Sequence, residues 1–470
     1  MSLVRSSLKL FAANTGGAVF QFIGIIYFSQ DLGASGIGLF FLFQAVLGVA
    51  TIPADFGLRE ALEKRLTEGE SQGKFLASAI LLKLVFAGLV SVVAVLLSGF
   101  INDYLGAELV VYLIIGLFSQ EIAHIFMSAL KGDLRVGETA ELNLAQQIVW
   151  LIVGAILVEF GYKSEGLIYA YILGFIVIIF WGWIKADISI KTPSLEHSKS
   201  LFNYGKYNVL ASVGGLFFSW MDILIIGYFL TNAHVGAYEV AWRVTGVVLL
   251  LSRSIGTALF PQISSWNSDM SSKKIESALR DYMTPSLFFI LPAFFGVLVF
   301  GQEILVLVFG SEFELAWVAL VILMGGKVAH AGFILLNRGL QGIGKPNLAA
   351  YATTVSVISN VVLNVILIQM FGIVGAAIAT TTSFLVNAVL HYQYISRYLK
   401  VTVPTKELSW CLVSSVAMGL LLQLIENLYA VDNLVSLFIV ISIGAGTYSA
   451  VILLFKPFRS KFGVVISSLS

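Results

Sequence analysis

Long apolar runs separated by short polar connections dominate this chain. A transmembrane helix needs about 20 apolar residues, and runs of that length recur from one end of the sequence to the other. The predicted spans are residues 8–29, 36–58, 75–98, 108–130, 140–160, 166–184, 206–230, 235–260, 284–306, 315–337, 348–370, 375–396, 408–427 and 433–455. This pattern predicts an all-α polytopic membrane protein with fourteen transmembrane helices.

Positive charge is divided unequally between alternate connections. Of the 28 Lys and Arg residues, 23 lie in one set of connections and in the termini, whereas only Lys163 lies in the opposite set. The other four, Lys83, Arg243, Arg253 and Lys327, lie within predicted helices. Because cytoplasmic connections carry the excess of Lys and Arg, we expect a multi-pass protein of the cell membrane with both termini in the cytoplasm.

Composition excludes several other classes of protein. Hydrophobic residues make up 58% of the chain and charged residues only 12%, against about 25% charged residues in soluble proteins. The single cysteine, Cys411, excludes an intrachain disulfide. No Walker-type phosphate loop, HExxH motif or Cys/His metal spacing occurs. We therefore expect no cofactor, no metal, no catalytic residue and no nucleic-acid partner.

Short internal matches indicate a repeat. LKGDLR at 130–135 matches LQGIGK at 340–345, and FGYKSEGLIYA at 160–170 matches FGIVGAAIA at 371–379 with a two-residue gap. GIGLF, which begins at Gly36, likewise corresponds to HVGAY, which begins at His234. Each copy holds an even number of spans, so both enter the membrane in the same direction. A pseudo-two-fold axis along the membrane normal is a common arrangement of this kind in transporters.

The repeat sets the predicted domain boundaries. Residues 1–184 and 206–397 are predicted to form two pseudo-symmetric six-helix lobes. The polar stretch 185–205 reads as a cytoplasmic linker between them, and residues 398–470 hold two further helices and a tail.

The stretch from Val235 to Trp266 is apolar enough to cross a membrane, yet it carries Glu239, Arg243 and Arg253. A charge at the centre of a lipid-facing helix costs roughly 2.5–3.5 kcal/mol on insertion scales. This helix is therefore predicted to line a cavity. Glu239 and Arg243 stand one helical turn apart, so they either neutralise each other or leave Arg243 to bind substrate. Arg253 has no such partner one turn away, and it is a candidate for charge balance or coupling.

Other polar residues within the spans are candidates for binding or coupling. Asn14 and Gln21 share one face of the first helix, which suits helix packing or substrate contact. Glu121 and His124 lie one turn apart, where they could carry a coupling proton or balance a cation in a neighbouring helix. Asp222 is the only acid in its span and belongs to the same coupling or charge-balance group.

Two lysines complete the set of intramembrane cations. Lys83 lies well inside the third span, where it either snorkels to the interface or contacts substrate. Lys327 follows the pair Gly325 and Gly326, which is expected to loosen the helix around a substrate-binding cation. His330, one turn later, is a candidate for coupling or charge balance.

Several motifs resemble those of a known transporter family. They are LGASGIGLF at 32–40, DFGLREALEK at 55–64, VGAYEVAWRV at 235–244, FPQIS at 260–264 and LQGIGKP at 340–346. The whole chain resembles the polysaccharide-transporter branch, the O-antigen-type lipid-linked oligosaccharide flippases, of the multidrug/oligosaccharidyl-lipid/polysaccharide exporter superfamily. The stretch DFGLREALEKR at 55–65 is particularly similar to the corresponding sequence of archaeal members associated with surface-protein glycosylation.

This resemblance implies a function and a set of site residues. It implies a flippase that moves a polyprenyl- or dolichyl-phosphate-linked sugar from the cytoplasmic to the outer leaflet, with glycosyltransferases of the same pathway as partners. Family members often line a central cavity with cations, and Arg243, Lys327 and Lys83 are the matching residue types. Members also often carry an arginine early in helix 1, where this chain has Asn14 and Gln21 instead.

Two alternative functions remain open at this point. A drug or cation antiporter of the same superfamily would need carboxylates at the centre of its cavity, whereas the buried charges here lean positive. A membrane-embedded glycosyltransferase would need acids on the outer face, such as Asp31 and Asp103, together with a sizeable outer loop. The longest outer connection, residues 99–107, is too short to enclose such a site.

Overall fold

The computed structural model describes the backbone of residues 3–455, and the side chains of residues 15–206 and 219–455. All regular elements in this part of the chain are helical. The α-helices are α1 (Leu3–Asp55), α2 (Leu58–Thr67), α3 (Gln72–Leu96), α4 (Ser98–Leu105), α5 (Val110–Gly132), α6 (Val136–Leu157), α7 (Lys163–Ala186), α8 (Leu195–Phe229), α9 (Asn232–Gly246), α10 (Leu250–Ser268), α11 (Ser272–Leu287), α12 (Ile290–Phe309), α13 (Trp317–Gly342), α14 (Pro346–Ile395), α15 (Thr405–Leu428) and α16 (Leu434–Leu453).

The predicted spans are all found as helices. Ten continuous helical segments of the described chain are long and apolar enough to cross a membrane. Three of these hold two predicted spans each: α1, which breaks at Gly33 (φ 68°), the pair α6 and α7, and α14, which breaks at Gly372 (φ 60°). The helix α8 supplies the remaining span. The prediction of an all-α protein with fourteen spans is therefore confirmed.

The connection between the sixth and seventh spans is shorter than the hydropathy pattern predicts. The helix α7 ends at Ala186 and α8 already begins at Leu195, within the predicted linker 185–205. Ser194 caps the new helix, because its hydroxyl oxygen accepts a hydrogen bond from the backbone N–H of His197 at 3.3 Å. The first turns of α8 are polar, and a hydropathy pattern detects only apolar segments. This explains why the predicted linker is longer than the observed one.

The chain divides into two compact units, residues 1–236 and 237–470. The helix α8, which opens the second lobe of the predicted repeat, packs against α1, α2 and α3 within unit 1. The lobe boundaries drawn from the repeat stay a prediction, since compactness and internal symmetry are different criteria for dividing a chain.

Both copies of the LKGDLR repeat form the same turn. In the first copy, the backbone N–H of Arg135 donates to the carbonyl of Leu130 at 2.8 Å. In the second, the N–H of Lys345 donates to the carbonyl of Leu340 at 2.9 Å. The fifth residue of each copy has a positive φ, 61° for Leu134 and 72° for the glycine of the second copy. The sequence repeat therefore corresponds to a repeated backbone geometry.

A second repeated feature is a close helix contact inside unit 1. A Cβ atom on Gly38 would lie 1.8 Å from the carbonyl oxygen of Asn232. A Cβ atom on Gly236 would lie 2.1 Å from the carbonyl oxygen of Ala34. Gly38 and Gly236 are the matching positions of GIGLF and HVGAY, so each copy supplies a glycine to the same crossing. Only glycine permits backbones to approach this closely.

The repeated turn yields a stability prediction at Leu134. Leu134 is 79% exposed, so its side chain contributes little packing, and a left-handed conformation costs a leucine roughly 1–2 kcal/mol. We expect Leu134→Gly to raise the midpoint of thermal unfolding in detergent, by an amount equivalent to about 0.5–1 kcal/mol once the entropy of glycine is counted. The matched change Gly344→Leu should lower the midpoint. A lower midpoint for Leu134→Gly would contradict this account of the turn.

Candidate functional site

Four charged residues meet inside unit 1 and form what we call the buried ion cluster: Asp55, Arg59, Lys83 and Glu121. The helix α1 ends at Asp55, and a turn of two left-handed residues, which includes Gly57 (φ 71°), starts α2. This turn places Arg59 against Asp55. Lys83 comes from α3 and Glu121 from α5. Four helices therefore supply one residue each.

The cluster pairs each cation with both carboxylates. The Lys83 ammonium donates to Asp55 Oδ1 at 2.5 Å and also to Glu121 Oε2. Arg59 Nε donates to Asp55 Oδ1 at 3.1 Å, and its Nη2 donates to Glu121 Oε1 at 3.4 Å. Two positive and two negative formal charges balance. The Lys83 side chain is 1% exposed and that of Arg59 is 29% exposed, so Arg59 is the accessible cation of the cluster.

This geometry changes how the sequence candidates of unit 1 are read. Lys83 does not snorkel towards an interface, because its ammonium is buried between two carboxylates. Glu121 balances the cation of a neighbouring helix instead of pairing with His124. The Nδ1 atom of His124 has no hydrogen-bond partner among the described residues. Contact between Lys83 and substrate stays a prediction, and it requires Lys83 to leave its carboxylates.

In unit 2 a lysine lies against an aromatic ring; we call Lys327, Trp242 and Phe384 the aromatic–lysine site. The Lys327 side chain is 1% exposed, and its Nζ lies 3.6 Å from the centroid of the Trp242 ring and 5.7 Å from that of Phe384. The two rings are stacked, with centroids 6.0 Å apart. Cation–π attraction is strongest for tryptophan and grows when the pair is desolvated. The contact therefore stabilises a charge inside an apolar unit.

The residue after Trp242 is Arg243, the arginine that the sequence singles out. Its Nε donates to Glu239 Oε1 at 2.7 Å, one turn back on α9. The Glu239 side chain is 8% exposed and that of Arg243 is 20% exposed. The local ion pair that the spacing allows is thus formed, with the arginine as its more accessible member. Whether Arg243 also binds substrate stays a prediction.

Arg253 lies apart from this pair along the chain. The helix α9 ends at Gly246, a single 3-10 turn follows, and α10 begins at Leu250. Arg253 is exposed on α10, and no ion pair or hydrogen bond joins its guanidinium group to another described side chain. The span predicted over 235–260 lies within one continuous helical segment that tightens into a 3-10 turn at Val247–Leu249, and its two arginines lie on opposite sides of this turn.

The glycine pair before Lys327 lies where α13 packs closely against its neighbours, and the prediction that it loosens the helix stays a prediction. The helix α13 is continuous through Gly325 and Gly326. A Cβ atom on Gly326 would lie 2.5 Å from the hydroxyl oxygen of Thr381 on α14. Gly326 therefore allows α13 and α14 to approach. His330, one turn after Lys327, has its ring centroid 4.1 Å from that of the Phe384 ring.

The remaining candidates are less defined. Asn14 lies outside the described side chains. Gln21 on α1 and Asp222 on α8 are half-buried in unit 1. Sequence reasoning missed four residues of the two sites: Asp55, Arg59, Trp242 and Phe384. The first two stand four residues apart in DFGLREALEK and could have been found by that spacing. An aromatic residue such as Phe384 gives no signal within an apolar helix.

A family profile matches more than half of the chain, and two relatives match almost all of it. The sequence profile of the family described as "Polysaccharide biosynthesis protein" matches residues 32–318. The "Probable low-salt glycan biosynthesis flippase Agl15" of Haloferax volcanii is 49% identical over 98% of this chain and 97% of its own length. The "Probable flippase AglR" of the same organism is 28% identical over 99% of this chain and 98% of its own length.

The fold is also found among solved structures. "Lipid II flippase MurJ, inward closed conformation" has a TM-score of 0.81 at 18% identity, with 98% of this chain and 100% of that chain covered. An inward-facing multidrug resistance transporter of the MATE family has a TM-score of 0.68 at 16% identity, with 83% of this chain and 97% of that chain covered. At this identity the likeness establishes the fold alone. Together with the sequence matches, it confirms the resemblance drawn from the motifs: the chain belongs to the polysaccharide biosynthesis protein family, in the polysaccharide-transporter branch of multi-pass membrane proteins.

Proposed function

We propose that this protein is a flippase that moves a polyprenyl- or dolichyl-phosphate-linked sugar or oligosaccharide from the cytoplasmic to the outer leaflet. The observation that carries the proposal is the 49% identity, over 98% of the chain, to a protein named as a probable glycan biosynthesis flippase. Alternating access would carry the polar head across while the lipid tail stays in the bilayer. The translocated sugar would serve polysaccharide or glycoprotein biosynthesis.

The buried cations suit the head of such a substrate. A phosphate-linked sugar is anionic, and it needs compensating positive charge where water is scarce. In unit 2, Lys327 lies against the ring face of Trp242, and Arg243 is the next residue along α9. A guanidinium group offers a planar fork that matches phosphate oxygens, whereas an ammonium acts as a point charge. We therefore assign the phosphate contact to Arg243, with Lys327 as its helper.

In unit 1 the accessible partner of the phosphate would be Arg59. Its guanidinium group has the longest contact of the buried ion cluster, 3.4 Å to Glu121, and its side chain is the most exposed of the four. Lys83 would hold the two carboxylates in place while Arg59 exchanges between them and the substrate. In this role Lys83 positions the site, and its contact with substrate is not needed.

We further propose that the protein lies in the plasma membrane with both termini in the cytoplasm. The support is the unequal division of Lys and Arg between alternate connections. Glycosyltransferases that assemble the lipid-linked sugar on the cytoplasmic side would then supply the substrate.

The topology can be tested with reporter fusions. A fluorescent protein fused after Lys74, in the first turn of α3, should fluoresce, and alkaline phosphatase fused there should be inactive. After Lys163, at the start of α7, alkaline phosphatase should be active and the fluorescent protein dark. Alkaline phosphatase is active only outside the cytoplasm, whereas the fluorescent protein fluoresces only inside it. Finding both positions on the same side would refute the proposed orientation.

The role of Arg243 separates phosphate binding from charge balance. We expect Arg243→Lys to lower flipping roughly tenfold, because the charge remains but the fork is lost, and Arg243→Ala to abolish nearly all of it. The measurement is the amount of glycan-loaded lipid left on the cytoplasmic leaflet, at equal membrane levels of protein. Arg280→Ala, an exposed arginine on α11, should flip at the wild-type rate.

A double variant completes that test. If Arg243 only balances Glu239, then Glu239→Gln with Arg243→Gln removes both charges together and should restore flipping. We expect no restoration. Wild-type flipping by the double variant would show that Arg243 is structural. The phosphate contact would then be assigned to Lys327.

The buried ion cluster yields a stability prediction. Lys83→Met leaves two carboxylates facing only Arg59, and loss of one partner of a buried pair costs about 3–5 kcal/mol. We expect a large drop in the thermal unfolding midpoint in detergent, and recovery of most of it in Lys83→Met with Glu121→Gln. Lys74→Met, an exposed lysine of the same helix, is the control and should change little. Equal midpoints for the single and double Lys83 variants would show that these charges are not coupled.

A further inference from the structure

A polar cavity lies in unit 1, and none of its lining residues belongs to the buried ion cluster. It has a volume of about 460 Å³ and is formed by α4, the end of α8 and the start of α9. Its lining includes Phe100, Asp103, Tyr104, Tyr228, Thr231 and Asn232. This volume falls within the range of about 300–1,000 Å³ that is usual for small-molecule sites.

Two hydrogen bonds hold the walls of this cavity together. The Tyr104 hydroxyl donates to the carbonyl oxygen of Leu224 at 2.6 Å. The Asn232 side-chain amide donates to the carbonyl oxygen of Leu105 at 3.1 Å. Both bonds join segments more than a hundred residues apart in sequence, so the cavity is a built feature of the fold and not a gap between loops.

The lining combines aromatic faces with hydrogen-bonding groups. Phe100 and Tyr228 are 62% and 64% exposed, so their rings are accessible. Asp103 and Thr231 are exposed beside them. A sugar ring presents apolar C–H faces and a rim of hydroxyl groups, which suits aromatic side chains with a polar neighbour. A carboxylate accepts the strongest hydrogen bonds that a hydroxyl group can donate.

Charge selects among possible sugars. The cavity lining contains Asp103 and neither lysine nor arginine, so an anionic sugar or a phosphate group would be repelled. The connections that form the cavity, residues 97–109 and 230–231, also contain no Lys or Arg. By the charge rule for connections they belong to the outer face.

We propose that this cavity binds a neutral saccharide unit at the outer face, where it holds the sugar portion of the substrate after the head has crossed. The statement that the sugar belongs to the flipped substrate rests on the proposed flippase function. The statement that the cavity binds a neutral sugar rests on the residues that line it. None of the cations proposed to contact the phosphate lines this cavity. The cavity would therefore bind the glycan once it has reached the outer side, without contacting its phosphate linkage.

An ordinary explanation exists for the same aromatic residues. Tyrosine and other aromatic residues collect at membrane interfaces as anchors, and Phe100 and Tyr228 would then contact only lipid headgroups. That explanation predicts no affinity for soluble sugars and no effect of Asp103.

The test is saturation-transfer NMR on the full-length protein in nanodiscs. The probes are glucose, mannose, galactose and maltose as neutral sugars, with glucuronic acid as the anionic comparison. We expect transfer to at least one neutral sugar and none to glucuronic acid. Tyr228→Ala and Asp103→Asn should each weaken binding of that sugar roughly tenfold, since each removes a direct contact.

Two further variants make the result specific. Phe229 is the aromatic neighbour of Tyr228 but does not line the cavity. The variant Phe229→Ala should therefore bind the sugar as the wild type does. Phe100→Ala, another exposed position, should repeat the loss seen with Tyr228→Ala. Absence of transfer to every neutral sugar in the wild type, or equal binding by the Tyr228, Asp103 and Phe229 variants, would overturn the site.

Flipping by the wild-type protein separates this inference from the proposed function. Wild-type flipping without sugar binding would remove the outer saccharide site and leave the flippase function intact. Sugar binding without any flipping of a lipid-linked glycan would leave the site and remove the flippase function.

Discussion

A charge placed inside a bilayer-spanning unit must be neutralised by the protein itself, because lipid offers neither water nor counter-ions. Unit 1 meets this requirement at Lys83, whose ammonium contacts Asp55 and Glu121. Three membrane-spanning helices and the short α2 converge there, since each contributes one charged residue. The arrangement of unit 1 near this point therefore follows from the need to enclose one lysine.

In unit 2 the buried lysine lies against an aromatic ring. Lys327 rests on the face of Trp242, and the nearby arginine of α9 is paired with Glu239. This cation–π attraction contributes to the stabilisation of the buried ammonium group. We propose the main phosphate contact at Arg243 of unit 2, because its guanidinium group offers a planar fork that matches phosphate oxygens, and a subsidiary contact at Arg59.

Internal repetition shapes the two units despite their different charge chemistry. The same turn follows α5 and α13, with matching hydrogen bonds and a left-handed residue at the same position. The repeat also places a glycine at each side of the crossing between Gly38 and Gly236. Backbone geometry has been kept where helices turn or touch, while the buried side chains of the two copies differ. Specialised sites can therefore occupy equivalent scaffolds.

The sequence by itself determined the number of spans, the all-helical fold, the family and the presence of charges within helices, because hydropathy and local spacing act within one helix. It did not determine which charges meet. Glu121 has His124 one turn away, yet it pairs with Lys83 from another helix. The sequence also did not show that Gly326 lies against Thr381 on α14. Periodicity shows which residues share a face of a helix, and only the tertiary structure decides which faces come together.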